Sequence, residues 1–427
     1  MRLQNYDKDM RNDSRQTAYL GPFFLMVFLF FIVGFLTTAN TQFQAPLKSV
    51  FLGGAGMLKN TFATLITFSW FLAYPISGPI GSIWVNRRGY KVTLLRGLLV
   101  MFIGLGLTFL SSWETVRYPD SCLHLGDLSV NWGFIIFLAG SFVTGASATI
   151  LQVVLNPYLS ACNVRGTQPI QRLAIGGTSN SIGTTIAPYF ISGIVFGGLA
   201  LEDVSVAQIR LPYLVMMLVI AVVLGCLAAF RLPDIEETRS RDEKLEKSVW
   251  SFRHLTLGVM AIFIYVGCEV CIGGNINLYA IDKGIGDPAL LATVYWGLML
   301  VGRAFSSTLS KVPAKTQLTV TTTGATVMVA LAIILDSPWL LAFTGLFHSI
   351  MWGAIFTLST AHLGKYTSAA SGVFMIGVFG GAVMPLLQGG AADAAGGWRL
   401  TWLLILAGEV LMLLYARYGS KVIQRGD

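Results

Sequence analysis

Residues 263–279 read FIYVGCEVCIGGNINLY and lie inside an apolar run over about 255–281, which is long enough to cross a bilayer as one helix. The single carboxylate of this run, Glu269, falls near its middle, where a charge is costly unless it faces protein or water. Glu269 shares one helix face with Gly273 and Asn277, because the three follow one another at intervals of four residues. The glycine pair 273–274 weakens the helix beside the acid, so we expect an unwound turn that lines a cavity and forms half of a binding site.

The composition of the whole chain agrees with a membrane protein. Of its 427 residues 54% are hydrophobic and 12% are charged, and the mean hydropathy is +0.68. Soluble proteins carry about twice this charged fraction. The apolar runs are far longer than the short alternating strands of a membrane β-barrel, so the composition predicts an all-α membrane protein.

Twelve apolar segments are each long enough to cross a bilayer. The predicted segments are 20–45, 59–84, 91–111, 131–162, 170–199, 209–231, 253–281, 287–309, 314–335, 338–362, 367–393 and 398–418. The charged stretch after the sixth segment suggests two six-helix halves, residues 1–231 and 253–427, joined by a solvated linker over 232–252. The motif GTTIAP at 183–188 matches GGAVMP at 380–385, although chance similarity between glycine-rich helices is an alternative explanation. Internal repeats of this kind are typical of transporters whose halves rock around a site at the membrane midplane.

The basic residues of the chain predict its orientation. The net charge is +8, and Lys and Arg concentrate near both termini, in the connection over 85–96 and in the linker. Basic residues favour the cytoplasmic side, which accounts for the charge better than nucleic-acid binding does. We therefore expect a multi-pass protein of the plasma membrane, in a bacterium the inner membrane, with both termini in the cytoplasm. We expect a monomer in the lipid bilayer.

Polar side chains at membrane depth are the candidate site residues. Amides and hydroxyls match the hydroxyl groups of a neutral sugar, whereas a dicarboxylate would call for arginine at the midplane. Aromatic faces cover the apolar side of a sugar ring. Another interpretation is that these residues only join helices, at about 0.6 kcal/mol each. The candidate sugar-binding residues are Asn40, Trp70, Gln152, Asn156, Asn180, Asn277, His348, Trp352 and Gln388.

The remaining embedded charges predict other roles. Glu269 is the candidate for ion coupling, because glycines and a polar face surround it. Arg303 and Glu409 are interpreted as structural partners, and a satisfied interior histidine is the commoner role for a residue such as His348. The sequence holds no phosphate-binding Gly-Lys motif, no Ser/His/Asp arrangement and no cluster with metal-ligand spacing, so we expect neither an enzyme nor a cofactor.

Several motifs resemble a known family of transporters. Residues 81–91, GSIWVNRRGYK, resemble the motif between the second and third helices of the major facilitator superfamily, with Asn86 in place of its usual acid. Within that superfamily the chain resembles the fucose permease family. The segments that carry this resemblance are FFIVGFLTTAN at 30–40, LQVVLNPY at 151–158, NSIGTTIAP at 180–188, YVGCE at 265–269, FHSIM at 347–351 and GGAVMPLLQ at 380–388.

The details of the match favour one branch of the family. Members that carry fucose have acids at the positions of Thr41 and Gln152, which are neutral here. The glucose/galactose branch is more similar, with Gln in the fourth helix and Glu in the seventh. This resemblance implies the major facilitator fold and makes Glu269 the coupling residue, with the cation, H⁺ or Na⁺, left open.

We therefore predict a secondary active transporter that imports a neutral monosaccharide, a hexose or deoxyhexose, by cation symport with alternating access. Two alternatives remain at this stage. One is a multidrug or metabolite exporter of the same fold, and the other is a membrane sugar sensor that does not transport.

Overall fold

The computed structural model describes residues 20–51, 58–125, 128–162, 164, 169–199, 204–229, 232, 246–306, 312–363 and 366–421. Most of the predicted linker, 233–245, and the segments next to both termini lie outside these residues.

The described chain is almost entirely helical. Before the linker lie α1 Leu20–Gln42, α2 Gln44–Phe51, α3 Lys59–Arg117, the hairpin of β1 Cys122–Leu125 and β2 Leu128–Asn131, α4 Trp132–Ala161, α5 Pro169–Tyr189 and α6 Arg210–Ala229. After it lie α7 Arg253–Val270, α8 Ile276–Asp282, α9 Pro288–Ser306, α10 Ala314–Ile334, α11 Pro338–His348, α12 Met351–Ser359, α13 Thr367–Phe374, α14 Gly380–Ala395 and α15 Trp402–Leu414.

The predicted crossings and the observed helices do not correspond one to one. The long helix α3 contains two crossings, which meet where Gly89 leaves the helical conformation with φ of 80°. Helices α7 and α8 are joined by the π-helical turn Cys271–Asn275 and together form one crossing. Helices α11 and α12 form a crossing bent by 44°. Helices α13 and α14 likewise continue one another through the 3₁₀ turn Met375–Phe379.

The apolar character of the crossings is uneven. Within the described residues nine helices are long and apolar enough to span a membrane, and the bent pair α11–α12 adds a tenth. The first part of α3 and the whole of α5 complete the twelve predicted segments but are less apolar. These two stretches contain many Ser, Thr, Asn, Gly and Pro residues, and both contribute to the wall of an internal cavity. A crossing that faces water inside the protein needs fewer apolar side chains than one that faces lipid on all sides.

Two pairs of helices form the most extensive contacts between the helices before the linker and those after it. Helix α5 packs against α9, and α3 packs against α14. Tightly packed aromatic and aliphatic side chains form one large apolar core that includes residues from both sets of helices. The two sets of helices therefore share apolar packing, and a polar cavity also lies between them.

Asp336, in the connection between α10 and α11, is the centre of a cluster of polar and charged side chains. Asp336 adopts a left-handed conformation with φ of 52° and accepts hydrogen bonds from Lys283 and from the Tyr279 hydroxyl, the latter at 2.5 Å. The hydrogen bond from Lys283 lowers the pKa of the Asp336 carboxyl most, and the bond from Tyr279 lowers it further. The cluster ties the end of α8 to the start of the bent crossing.

Candidate functional site

A cavity of about 1910 Å³ lies between the two sets of helices. It reaches one end of the bundle, which we call the open end, where Tyr90, Ala161, Pro313 and Phe356 contribute to its wall. In the other direction it stops at Thr41, near the end of α1, and at Trp296, near the middle of α9. The opposite end of the bundle, at the start of α3 and the end of α14, we call the closed end. The cavity is therefore accessible from one side only.

Contacts between the two sets of helices seal the closed end. The Gln42 side chain donates a hydrogen bond to the Gly273 carbonyl at 2.9 Å and accepts one from the Asn277 amide. Asp393 of α14 accepts hydrogen bonds from the backbone of Asn60 and Thr61 at the start of α3. These bridges lie beyond the bottom of the cavity and separate it from the closed end.

Three predicted amides line the cavity wall. The Gln152 amide donates to the Tyr74 hydroxyl at 3.2 Å, that of Asn156 donates to the Gln152 carbonyl at 3.1 Å, and that of Asn180 donates to the Phe30 carbonyl at 3.1 Å. Each bond fixes the amide nitrogen. Among the described residues none donates a hydrogen bond to the three side-chain oxygens, so these can accept bonds from a ligand's hydroxyl groups.

Close packing of α1 against α5 positions Asn180. A Cβ atom on Gly34 would lie 2.3 Å from the Asn180 carbonyl oxygen, which is far inside van der Waals contact. Glycine at position 34 therefore lets α5 approach α1 closely enough for Asn180 to bind the Phe30 carbonyl.

Trp352 supplies an aromatic surface to the same cavity. Its ring stacks on that of Phe356, with centroids 5.6 Å apart and 9° between the planes, and meets Phe374 edge to face. These contacts hold the indole in a fixed orientation at the wall.

Glu269 and Arg303 form the charged part of the cavity. Both line its wall, and the closest approach of guanidinium and carboxylate is 4.0 Å. The Glu269 side chain keeps 14% of its surface exposed and that of Arg303 keeps 28%. Arg303 also donates to the Ser181 hydroxyl of α5, so it links the two sets of helices beside the acid. The distance is longer than that of a charge-assisted hydrogen bond, so the carboxylate is only loosely paired with this guanidinium.

The predicted unwound turn after Glu269 is instead a π-helical turn, Cys271–Asn275. The backbone keeps a helical path there, and the Gly273 carbonyl binds Gln42 of α1. A wider turn shifts the hydrogen-bond register by one residue without exposing the whole backbone, which costs less in a membrane than full unwinding.

Asn40 and Trp70 lie outside this cavity. Asn40 donates to the Ile66 carbonyl at 3.2 Å and accepts from the Ser141 hydroxyl at 2.8 Å, so it joins α1, α3 and α4. Trp70 is 2% exposed to solvent. Asn40 and Trp70 line a separate small void between these three helices and α6. In this conformation they act as packing residues of the N-terminal helices.

Asn277 and Gln388 are also away from the cavity wall. Asn277 contributes to the seal at the closed end through Gln42. Gln388 is fully buried in α14, where it accepts from Asn275 at 2.9 Å and donates to Thr401 at 3.2 Å.

His348 belongs to a buried polar chain behind the cavity. Its Nε2 lies 2.7 Å from a carboxylate oxygen of Glu409, and its Nδ1 lies 2.7 Å from the Tyr295 hydroxyl. His348 and Glu409 have no exposed side-chain surface. The prediction that Glu409 is a structural partner agrees with this geometry.

Three important residues were not among the sequence candidates. Arg303 was interpreted as a structural partner near the end of its helix, but it lines the cavity beside Glu269. Gln42, two residues after Asn40, and Tyr74, four residues after Trp70, were also absent from the candidates. Both are polar residues within four positions of a candidate, so proximity along the helix is the sequence signal that indicates them.

The fold and the cavity together define a polytopic membrane transporter with a central site accessible from one side. The family model of the Major Facilitator Superfamily matches residues 20–383, and the chain belongs to this superfamily. This confirms the family resemblance and the predicted fold class.

Within this superfamily the chain is similar to several known sugar transporters. The chain is 32% identical to the glucose/galactose transporter of Brucella abortus over 96% of both chains, and 23% identical to the L-fucose-proton symporter of Escherichia coli over 99% of this chain and 98% of the other. Among solved structures it is similar to the outward conformation of FucP, with a TM-score of 0.67, 21% identity and coverage of 95% and 100%. It is also similar to the inward-open xylose transporter XylE of E. coli, with a TM-score of 0.70, 12% identity and coverage of 95% and 97%. These relatives are transporters, in agreement with the prediction that the chain is not an enzyme.

Proposed function

We propose that this protein is a secondary active transporter that imports a neutral monosaccharide, a hexose or deoxyhexose, by symport with a cation. The observation that carries the proposal is the cavity itself, which combines the amides of Gln152, Asn156 and Asn180 with the indole of Trp352 and the acid Glu269. It is accessible from a single side. The names of the relatives, glucose/galactose transporters and L-fucose-proton symporters, support the same substrate class.

The cavity chemistry fits a neutral sugar. The oxygens of Gln152, Asn156 and Asn180 accept hydrogen bonds from sugar hydroxyls, and Trp352 covers an apolar ring face. The charges of Glu269 and Arg303 oppose each other, so the wall has no net charge to attract an ionic substrate when the acid is ionised.

Glu269 is the proposed coupling residue. Cation binding at its carboxylate competes with Arg303, which approaches to 4.0 Å in this conformation. We propose that H⁺ or Na⁺ occupies the acid when Arg303 is withdrawn, and that the approach of Arg303 promotes release of the cation. Transport then needs no ATP and no bound cofactor.

The proposal also includes an orientation. The open end carries the basic connection that contains Arg87, Arg88 and Lys91, so we place it at the cytoplasm, with both termini on that side. The cavity is then open inward. We propose that the protein functions as a monomer in the plasma membrane, which in a bacterium is the inner membrane.

Counterflow uptake in proteoliposomes tests the substrate class. A panel of radiolabelled hexoses and deoxyhexoses is measured with and without sodium and with and without a pH gradient. We expect counterflow of at least one neutral sugar. No uptake of any neutral sugar, or extrusion of unrelated amphipathic compounds instead, would contradict the proposal.

Gln152→Ala is the matched variant for this assay. The lost acceptor and the freed Tyr74 hydroxyl should weaken sugar binding by about tenfold or more, with the folded fraction unchanged. Gln208→Ala is the control, because it removes the same side chain at a helix cap formed with Ser205, away from the cavity. Equal affinity of the Gln152 variant and the wild type would remove Gln152 from the site.

A further inference from the structure

The first turn of α3 is capped by a residue from a distant part of the chain. Its own N-cap residue, Leu58, offers no side-chain hydrogen bond. Asp393 of α14 instead accepts from the backbone N–H of Asn60 at 3.1 Å and from that of Thr61 at 2.7 Å. It also accepts from the Thr61 hydroxyl at 2.6 Å. Two of the N–H groups that a helix start leaves without intrahelical partners are thus satisfied by one carboxylate.

The packing around this contact is tight. A Cβ atom on Gly389, one turn before Asp393, would lie 2.7 Å from the Thr64 hydroxyl oxygen and 2.9 Å from the Asn60 carbonyl oxygen. Glycine at position 389 therefore allows α14 to approach α3 closely. Lys48 of α2 also donates to the Asn60 side chain, at 2.5 Å.

The contact between Asp393 and the start of α3 can form only while the two sets of helices meet at the closed end. It joins a helix before the linker to a helix after it, beyond the bottom of the cavity. A negative charge at a helix N-terminus is favourable, and hydrogen bonds to a charged group are stronger than those between neutral groups. If the two sets of helices separate at this end, α3 loses its cap and must exchange the carboxylate for water.

We propose that Asp393 is a conformational latch, which caps α3 only while the closed end is sealed and thereby stabilises the conformer whose cavity reaches the open end. Its role in transport rests on the alternating access of the proposed function. The latch itself is a property of the protein without substrate.

Distance measurement across the closed end tests the latch. Spin labels are attached at Asp120→Cys and Gly286→Cys, two exposed positions at this end in different sets of helices, after the five native cysteines are replaced by alanine. Pulsed electron resonance on the full chain in lipid nanodiscs, without sugar, then gives the distance distribution. Asp393→Asn places an NH₂ group opposite one of the N–H donors and removes the charge. We expect the ratio of long to short distances to rise about tenfold, equivalent to the loss of one charge-assisted hydrogen bond.

Asp287→Asn is the matched control. It makes the same chemical change at the same end, but among the described residues Asp287 accepts only from Leu290, within its own helix start. This control should leave the distribution unchanged. Thr61→Val keeps the side-chain shape and removes only the hydroxyl donor, so it should shift the distribution in the same direction by a smaller factor.

The outcomes separate the latch from the transport proposal. A wild-type distribution in both Asp393→Asn and Thr61→Val would overturn the latch, whatever the protein transports. If Asp393→Asn does not fold, Thr61→Val alone decides. A shifted distribution in a protein that carries no sugar would support the latch and contradict the proposed function.

Discussion

Glu269 illustrates how far a single residue can be interpreted from its position in the chain. Its depth in an apolar run predicted that it faces a cavity, and the structure places it on a cavity wall with a small exposed fraction. Its closest cationic neighbour, Arg303, comes from a different helix and could not be assigned from spacing. The role of the acid therefore depends on a partner that only the fold supplies.

Glu269→Gln should separate transport from accumulation. The amide keeps the shape of the side chain and one acceptor oxygen, but it takes up no proton and lacks the negative charge that attracts a sodium ion. We expect exchange of labelled sugar across proteoliposomes to continue, because it needs no net cation movement. Accumulation against a gradient should fall to the equilibrium level.

The control is Glu114→Gln, at the end of α3 and away from the cavity, which should accumulate sugar like the wild type. Full accumulation by the Glu269 variant would exclude the coupling role. Loss of both exchange and folding would instead mark Glu269 as a structural residue.

At the scale of elements, the buried pair His348–Glu409 holds the bend of the crossing α11–α12 in place. His348 ends α11, and its ring is held between Glu409 of α15 and Tyr295 of α9. Ser349 follows at the bend, where its carbonyl accepts from Arg303 at 3.4 Å, and Trp352 lines the cavity one turn later. The buried chain therefore orients a wall of the site without lining it.

His348→Ala should act on stability before it acts on binding. Removing the imidazole leaves the buried Glu409 carboxylate without its partner, which typically costs about 3–5 kcal/mol when a buried pair is broken. We expect a clear drop in the thermal unfolding temperature in detergent, and near-normal sugar affinity in the fraction that remains folded.

His124→Ala provides the comparison, because His124 is exposed on β1 and its loss should leave the unfolding temperature unchanged. An unaltered unfolding temperature together with weak sugar binding in the His348 variant would return His348 to the binding site, as the sequence predicted.

At the scale of the whole molecule, the contacts between the two sets of helices determine the end at which the cavity opens. They meet at the closed end through Gln42 and Asp393, and they diverge toward the end that carries Arg87 and Arg88. The orientation proposed above, with that end in the cytoplasm, rests on these basic residues and the positive-inside rule.

Reporter fusions test this orientation. A reporter enzyme that is active only outside the cytoplasm should be inactive after Asp427 and active when inserted after Asp120, which lies at the closed end. Both fusions are compared at equal expression, measured by immunoblot. Activity after Asp427, or inactivity after Asp120, would reverse the proposed topology.

The sequence by itself determined the class of protein, the helical segments and the depth of Glu269. These follow from local properties, because a bilayer demands long apolar helices and makes an embedded charge conspicuous. The family motifs are likewise stretches of neighbouring residues. All of this information is carried within about one helix length.

Only the tertiary structure decided which polar residues face the cavity. Gln152 and Asn180 line the cavity, whereas Asn40 and Trp70 pack between helices. The sequence pattern predicted the same sugar-binding role for all four. A helix in a bundle has several neighbours, and periodicity identifies a polar face without stating whether a cavity or another helix covers it. The partnership of Asp393 with the start of α3 joins residues more than 300 positions apart, and no local pattern records it.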